Sequence, residues 1–272
     1  MKHQQDLSPA EVYERYLSRT IADPWTRVLL EIADPEIGEQ ALDLACGTGS
    51  VARQLAPMIG ESGQVLATDI NADMLDVGRV QATPMGAAIT WQQGDATHLD
   101  LQNDAFDLVV CQQGLQFFPD RAASMHEIRR VLRHGGRSVI SVWQGLDQHP
   151  LYKTLFTATA DHLGVSISDV DVAFSLSEPR ELWALLNDAG FQQIEIIPKT
   201  LLISMPEPER FVQLSVLGAA TSIPAFMSLD TTQRATLINE ISEQTYAAVR
   251  QFKDGDRLSL SMSTNIAVAY NQ

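Results

Sequence analysis

Cysteine is scarce in this sequence: Cys46 and Cys111 are the only two among 272 residues, and neither lies in a metal-ligand spacing. This argues against a disulfide scaffold and predicts no metal site. No apolar run approaches the ~20 residues of a membrane span. Residues 1–25 contain acids and polar residues without a central apolar block, unlike a signal peptide. We therefore predict a cytoplasmic protein with no membrane span.

Basic residues are also few: the chain has 19 lysines and arginines and 34 acidic residues, which gives a net charge of -15. Nucleic-acid binders draw much of their affinity from Lys and Arg that face phosphates. A basic cluster, Arg129–Arg130 with Arg133–His134, lies at the predicted end of a helix, where cations complement the helix dipole. We therefore predict a small-molecule partner and no nucleic acid.

The length exceeds the usual size of a single domain, and the composition is ordinary for a globular protein, with 45% hydrophobic and 19% charged residues. The chain can therefore bury a full core. We predict one large domain with an inserted cap.

The most informative stretch is Ala41–Ser50, which reads A-L-D-L-A-C-G-T-G-S. Its small and aliphatic residues suit a strand covered on both faces, as in a parallel sheet. Gly47 and Gly49 allow a sharp turn and a close approach to a ligand, and the helix that follows presents free N–H groups there. The stretch predicts a cofactor-binding turn.

NAD and S-adenosylmethionine are both bound by such turns, and acidic residues separate the two. G-T-G-S-V-A fits the loose dinucleotide fingerprint G-x-G-x-x-A. However, Asp43 lies within the first strand, Asp69 ends the second (Gln64–Asp69) and is placed for two ribose hydroxyls, and Asp95 follows the third (Ala88–Gln93). A carboxylate beside the glycines suits a cationic ammonium or sulfonium better than a pyrophosphate. The three acids favour S-adenosylmethionine.

Five motifs, in order, resemble those of class I S-adenosylmethionine-dependent methyltransferases, and most of all the small-molecule branch that includes ubiquinone and menaquinone biosynthesis enzymes. The motifs are D-L-A-C-G-T-G, T-D-I-N-A-D-M-L, G-D-A, F-D-L-V-V-C-Q-Q-G and L-R-H-G-G-R, within about residues 36–145. One position departs from the family's G-x-G-x-G pattern. Ala45 stands where the first glycine is expected, and its side chain is small enough to be accommodated.

The resemblance implies that Ile70 and Met74 sandwich the adenine and that Asp95 takes its amino group. Ordinary packing of a helix start and a turn-forming aspartate are the alternatives. Tyr16, on an N-terminal helix, is a candidate lid residue or a tyrosine packed at the core edge. The predicted cofactor-binding residues are Tyr16, Asp43, Ala45, Cys46, Gly47, Gly49, Asp69, Ile70, Met74, Gly94, Asp95, Ala96 and Gln112.

The alternation of strands and helices to about residue 143 predicts a doubly wound α/β sheet with right-handed crossovers. We predict a Rossmann-like sheet of seven mostly parallel strands, with an antiparallel last strand beside the fifth, and a helical cap. The predicted parts are an N-terminal lid (1–35), a core (36–204) with a helical insertion (about 148–177), a cap insertion (205–255) and the final strand (256–272).

Local signals set the bounds of several elements. Ser8-Pro-Ala-Glu11 is a helix start, with Ser as the cap and Glu three residues later. Asp23–Ala33 is a second helix. Arg137–Trp143 is the fifth strand, after a helix that runs to Arg133, and Phe191–Ile197 is the sixth.

The loop after the fourth strand, Gln112–Pro119, lies at the switch point where such sheets place ligands. An apolar acceptor packs there with a glutamine orienting it, or else the phenylalanines anchor the loop to the core. The predicted acceptor-binding residues are Gln113, Gln116, Phe117 and Phe118. His149, which follows the fifth strand, is the candidate catalytic residue.

Both cysteines end strands predicted to be neighbours, so both thiols are expected near the cofactor. Cys46 also precedes a helix N-terminus, a position that lowers the pKa of a thiol.

We predict an S-adenosylmethionine-dependent methyltransferase that acts on an O, N or C atom of a small, partly apolar acceptor. One alternative is an NAD-dependent oxidoreductase, although no Tyr-x-x-x-Lys pair follows the fourth strand. Another is a protein that binds the cofactor without transferring its methyl group.

Overall fold

The computed structural model describes residues 8–82, 84–219 and 223–272 of the chain. The predicted lid and cap insertion include residues 1–7 and 220–222, which lie outside this part. Across the described residues, no helix has both the length and the apolar character needed to cross a membrane.

The strands of the molecule join in one central sheet. They are β1 (Gln40–Leu44), β2 (Gln64–Asp69), β3 (Ala88–Gln93), β4 (Phe106–Gln112), β5 (Leu132–Trp143), β6 (Gln192–Pro206), β7 (Lys253–Asp254) and β8 (Arg257–Tyr270). The sheet order is β3-β2-β1-β4-β5-β8-β6, and the two-residue β7 pairs with β8. The first five strands are parallel, and β8 is antiparallel to β5 and to β6. The predicted Rossmann-like sheet is confirmed, including its antiparallel last strand.

Helices cover both faces of the sheet. They are α1 (Pro9–Val12), α2 (Asp23–Ala33), α3 (Ser50–Ile59), α4 (Ala72–Arg79), α5 (Arg121–Val131), α6 (Pro150–Leu163), α7 (Pro179–Asp188), α8 (Phe211–Ala219), α9 (Pro224–Met227) and α10 (Thr231–Gln251), with a π-helix over Tyr13–Ala22.

The N-terminal helix begins where its capping signal predicts. The Ser8 hydroxyl accepts from the Glu11 N–H at 3.2 Å, and the Glu11 carboxylate accepts from the Ser8 N–H at 2.7 Å. Two N–H groups that a helix start leaves unpaired are thereby satisfied. Beyond Val12 the predicted α-helix is instead a π-helix, and α2 follows it directly.

Apolar residues on the two faces of the central strands form separate core layers. Leu42 and Leu44 of β1 belong to the layer that includes α5 and α7. Ala41 of the same strand and Leu108 of β4 belong to the layer that includes α2 and α3. A strand buried on both faces reads as a continuous apolar run, which is why β1 and β4 are recognisable in the sequence.

The sixth strand is longer than predicted, since β6 continues past Ile197 to Pro206. Its second half pairs with the first half of β8 beyond the end of β5, as a two-stranded arm. Side chains of this arm enter a third apolar cluster together with α6, α8 and α10. The fifth strand also begins earlier than predicted, at Leu132, because α5 ends at Val131.

Candidate active site

The turn after β1 is built from residues in the left-handed backbone region. Gly47 and Gly49 have φ values of 54° and 83°, and Ala45 has a φ of 55°. This conformation costs a residue with a side chain about 1–2 kcal/mol, whereas glycine adopts it freely. Ala45 therefore fits the first glycine place in size but adds backbone strain at the turn.

Asp43 connects this turn to the helix that follows. Its Oδ2 accepts from the Ala52 N–H at 2.9 Å, and Asp43 is only 1% exposed. Burial, together with the smaller effect of the neighbouring Asp69, raises the pKa of Asp43 to about 7. In the absence of a cationic ligand the carboxyl is thus partly protonated near neutral pH.

Asp69 and Asp95 lie at the carboxyl ends of the next two strands. Asp69 accepts from the Gly47 N–H at 2.8 Å and from the Asn71 N–H at 2.9 Å, while burial raises its pKa. Asp95 is exposed and accepts from the Thr97 N–H and hydroxyl, both at 2.8 Å, and these bonds lower its pKa. Asp95 therefore forms the turn that the sequence left as an alternative, and it also faces the cavity described next.

A cavity of about 710 Å³ opens at this edge of the sheet. It brings together most of the predicted site residues. Those that line it are Asp43, Ala45, Cys46, Gly47, Asp69, Ile70, Met74, Gly94, Asp95, Ala96, Gln112, Gln113, Phe117 and Phe118.

Tyr13, and not the predicted Tyr16, is the tyrosine that reaches the cavity from the N-terminal segment. A Cβ on Gly47 would lie 4.0 Å from the Tyr13 ring. Tyr16 is buried on another side of the π-helix, with the Arg210 guanidinium 4.4 Å from its ring centroid. Tyr16 is therefore packed in the core, as in the alternative that the sequence left open, and Tyr13 is the tyrosine that lines the cavity.

Gly49 is near the cavity without lining it. A Cβ at this position would lie 2.2 Å from the Trp91 ring of β3. Close packing of the turn on this indole requires glycine at this position, and the cofactor contact of Gly49 stays a prediction.

Gln116 and His149 do not line the cavity either, contrary to their predicted roles. Gln116 is 2% exposed and donates to the Gln113 side chain at 3.3 Å. His149 is 1% exposed; its Nδ1 lies 3.0 Å from the Gly145 carbonyl, and its Nε2 accepts from the Ser263 N–H at 2.9 Å. Because burial also lowers its pKa, His149 is a neutral structural residue and not a general base.

A polar network holds Gln112 in place. Its Oε1 accepts from the Thr26 hydroxyl at 2.9 Å, and its Nε2 donates to the Ala22 carbonyl at 3.2 Å. The Thr26 hydroxyl lies 3.1 Å from that of Ser50, which in turn donates to the Asp23 carboxylate. Both ends of the Gln112 amide are engaged, so its orientation at the cavity wall is fixed.

An ion pair fastens the N-terminal segment to the glycine turn. Arg53 of α3 lies 3.1 Å from Glu14 of the π-helix, and both side chains are largely buried. The same guanidinium donates to the Thr48 carbonyl. This contact holds the π-helix over the cavity.

The far end of the cavity is aromatic, and of its members the sequence indicated Tyr152 and Phe156 but not Trp25, Trp143 or Phe174. Trp25 packs edge-on against Trp143 with ring centroids 5.7 Å apart. The Phe174 ring lies 5.9 Å from Tyr152 and 5.8 Å from Phe156. These five side chains, which line the cavity from α2, β5, α6 and the short 3-10 helix Val172–Phe174, are called the aromatic end below.

Cys46 lines the cavity, but its thiol is not activated as its place before a helix predicts. Burial raises its pKa well above the usual value, and Asp43 and Asp69 add to the effect. Burial likewise raises the pKa of Cys111 to about 12. The nearby carboxylates and desolvation outweigh the helix N-terminus.

We expect iodoacetamide to alkylate Cys46 more slowly than a free cysteine at pH 8, because little thiolate forms. Saturating S-adenosylmethionine should slow the reaction further by covering the cavity wall. Cys111, which is fully buried, should react only after denaturation. Mass spectrometry of the labelled peptides measures both rates, and equal labelling of Cys46 with and without ligand would contradict its place at the cavity.

A family model described as the ubiE/COQ5 methyltransferase family matches residues 11–200. This chain belongs to that family. The predicted resemblance is confirmed. The family also confirms that the protein is a methyltransferase and that its cofactor is S-adenosylmethionine. The NAD-dependent alternative finds no support.

Two curated relatives are quinone-biosynthesis enzymes. The Haemophilus ducreyi ubiquinone/menaquinone biosynthesis C-methyltransferase UbiE is 30% identical over 183 residues, 62% of this chain and 71% of the relative. The Cellvibrio japonicus protein of the same name is 37% identical over 118 residues, 43% of this chain and 47% of the relative. The matched segment thus spans between about half and about seven tenths of these ubiE/COQ5 family members.

A solved structure supports the fold across the whole chain. It is Haemonchus contortus phosphoethanolamine N-methyltransferase 2 in complex with S-adenosyl-L-methionine, with a TM-score of 0.57 and 18% identity. The match covers 99% of this chain and 59% of that one.

The residues of the cavity fit S-adenosylmethionine. Three carboxylates line the end beside the glycine turn, and no lysine, arginine or histidine of the described chain lines the cavity. Thr48 also lines it, and its buried hydroxyl has no hydrogen-bond partner among the described residues. An acidic, hydrogen-bonding pocket suits a cationic nucleoside.

Proposed function

We propose that this protein transfers the methyl group of S-adenosylmethionine to a carbon of a small, largely apolar ring. The observation that carries the proposal is one cavity with an acidic end and an aromatic end. The acids offset the positive charges of the cofactor, and the aromatic side chains suit an apolar ring. The names of the two relatives, both C-methyltransferases of quinone biosynthesis, support carbon as the accepting atom.

The chain contributes mainly orientation in this proposal. The cofactor supplies a methyl group already activated by positive sulfur, so alignment at near-attack distance accounts for much of the acceleration. Gln112 is fixed between Thr26 and Ala22, and the ion pair of Glu14 with Arg53 holds the π-helix in place. Both features limit the movement of bound molecules relative to each other.

The residue roles and the parts of the chain are proposed on the same basis. Asp69 binds the ribose hydroxyls, Ile70 and Met74 contact the adenine, and Asp95 takes its amino group. We propose residues 1–35 as a lid and residues 205–255 as a cap, and the cytoplasm as the location of the protein.

Mass spectrometry of the natively purified protein tests the proposal most directly. We expect it to carry S-adenosylmethionine or the demethylated product, and we expect methyl transfer to hydroxylated benzene or naphthalene rings. Bound NAD would favour the oxidoreductase alternative. Bound S-adenosylmethionine without transfer to any ring would favour a binding protein.

Asp69→Ala is expected to weaken S-adenosylmethionine binding at least about tenfold, because two hydrogen bonds to a charged acceptor are lost. Titration calorimetry measures the affinity. Asp73→Ala is the matched control, since it removes an exposed carboxylate that lies outside the cavity. Unchanged affinity of the Asp69 variant would contradict the proposed ribose contact.

Phe117→Ala is expected to raise the KM of the ring acceptor more than that of S-adenosylmethionine. Phe117 lines the cavity and is 46% exposed, so a bound ring would cover part of its surface. Phe252→Ala, at a half-buried position outside the cavity, is the control.

Methyl transfer to the ring acceptor should also change little with salt concentration. Activity that is confined to nucleic acid and falls steeply as the salt concentration rises would contradict a small apolar acceptor.

A further inference from the structure

The loop after β4 contains a backbone carbonyl that its own turn cannot satisfy. A 3-10 helix over Leu115–Phe117 follows the strand, and continuing such a helix would bond the carbonyl of residue 116 to the N–H of residue 119. Residue 119 is Pro119, which has no N–H. Gln116 is only 2% exposed, and a buried carbonyl without a donor is costly. The carbonyl therefore needs a donor from another part of the chain.

Arg121, the first residue of α5, supplies that donor. Its Nη2 donates to the Gln116 carbonyl at 2.9 Å and to the Ser175 hydroxyl at 2.6 Å, and this hydroxyl donates to the same carbonyl at 3.3 Å. Its Nη1 lies 3.4 Å from the Glu181 carboxylate. A cation in the first turn of a helix opposes the helix dipole, so α5 itself does not explain an arginine there. Arg121, Ser175 and the Gln116 carbonyl are called the Arg121 clasp below.

The Arg121 clasp joins two loops that are distant in sequence. Phe117 and Phe118 directly follow Gln116, and Val172–Phe174 directly precede Ser175; all five of these apolar residues line the cavity. Among the described residues, the hydrogen bonds between the two loops are those of the clasp. The clasp residues themselves do not line the cavity. They can act on a bound molecule only by holding the two loops in place.

The position of these loops matters for the proposed reaction. Direct displacement requires the accepting atom to lie in line with the sulfur–methyl bond at near-attack distance, and a misplacement of about 1 Å can cost about 100-fold in rate. Phe117 is 46% exposed, so packing covers only part of its side chain. The hydrogen bonds to the preceding carbonyl therefore restrict a wall residue that packing alone leaves partly free.

We propose that Arg121 is a positioning residue for methyl transfer, and that it acts through the clasp by fixing Phe117 against Val172–Phe174. The inference rests on the proposed function, because it takes these two loops as walls that receive the acceptor. Arginine suits the role because its rigid, planar group donates several hydrogen bonds in fixed directions, whereas lysine offers one nitrogen on a flexible chain. Loss of the clasp keeps the apolar surface of the cavity but releases its geometry. The rate of transfer is therefore affected more than the affinity for the acceptor.

Arg121→Met tests the proposal on the full chain, with 1-naphthol or phenol, whichever the parent methylates faster, as the acceptor. We expect kcat to fall about tenfold while the KM of the acceptor changes by less than about threefold. The affinity for S-adenosylmethionine, measured by titration calorimetry, should stay within about twofold of the parent, because the clasp contacts no residue of the glycine turn. An unchanged kcat overturns the proposal.

Three further variants separate the clasp from other effects of the arginine. Glu181→Gln removes the ion pair but keeps the clasp, and it should retain the parent kcat. Arg133→Met removes another arginine, one that is paired with Asp107 outside the cavity, and should also retain it. Ser175→Ala should lower kcat about threefold, since one member of the clasp is lost, and it decides the question if Arg121→Met does not fold.

A double-mutant cycle distinguishes positioning from a general loss of stability. If Arg121 acts through Phe117, Arg121→Met should lower kcat by less than about twofold in a chain that already carries Phe117→Ala. Independent effects would multiply and would overturn the assignment of Phe117 as the residue that is positioned.

Methyl transfer by the parent separates this inference from the proposed function. A parent that binds S-adenosylmethionine but methylates no hydroxylated benzene or naphthalene ring would refute the proposed function, and the inference with it. A parent that methylates such a ring, with the same kcat in Arg121→Met and in Ser175→Ala, would refute only the inference about the clasp.

Discussion

Asp43→Asn is expected to weaken S-adenosylmethionine binding at least about tenfold and, at the same time, to stabilise the ligand-free protein at pH 8. Burial raises the pKa of this carboxyl from 3.8 to about 7. The folded protein thus retains a proton that the unfolded chain releases, and the free energy of unfolding falls as the pH rises from about 4 to about 7. At pH 8 the destabilisation is complete, on the order of a few kcal/mol.

The pH dependence distinguishes this explanation from a simple loss of packing. The stability advantage of Asp43→Asn, measured by urea unfolding, should be large at pH 8 and shrink towards pH 5. Parent affinity for S-adenosylmethionine should increase as the pH rises through about 7, because a cationic ligand favours the ionised carboxylate. The Asn variant should lack this dependence, and Asp100→Asn, at an exposed site outside the cavity, should behave like the parent. A parent affinity that is flat between pH 6 and 8 would argue against the assignment.

Gly49→Ala is expected to lower the free energy of unfolding by about 2–5 kcal/mol, the sum of left-handed strain and overpacking. Gly49 has a φ of 83°, and a Cβ there would lie 2.2 Å from the Trp91 ring. The displaced turn should also bind S-adenosylmethionine more weakly, because α3 begins at the next residue.

A second glycine separates the two causes. Gly164, which ends α6, has a φ of 67° and open space where a Cβ would be placed. Gly164→Ala therefore reports the left-handed strain alone. Gly49→Ala should destabilise the protein more than Gly164→Ala, and adding Trp91→Leu to Gly49→Ala should recover part of this extra loss of stability. Equal destabilisation by the two glycine variants would exclude the Trp91 contact as a cause.

The parallel part of the fold was predictable because its signals are local. β2 and β3 have the predicted bounds, and so does α2. β6 was predicted too short because Pro198 and Pro206 interrupt the strand pattern. Its continuation depends on pairing with β8, a partner more than fifty residues away.

The site was predictable where binding of the cofactor requires a particular type of residue at the end of a strand. The three aspartates line one cavity as expected, since parallel strands bring their carboxyl ends to the same edge. Tyr16 and Tyr13 lie less than one helical turn apart, and the choice between them depends on a π-helix that no sequence signal indicated. The aromatic end is assembled from distant segments, and its members resemble ordinary core residues until they are placed together.

The position of β8 between β5 and β6 has a consequence for the order in which the protein can fold during synthesis. Among the described residues β6 pairs only with β8, and β8 comes after every other strand of this sheet along the chain. The first five strands and their helices can associate early through contacts close in sequence, whereas the β6–β8 pairing must wait for residues 257–270. The nascent chain would therefore expose the open edge of β5 until residues 257–270 have been made. The cofactor end of the cavity, formed by the first four strands, would then be in place before the wall to which Met262 contributes.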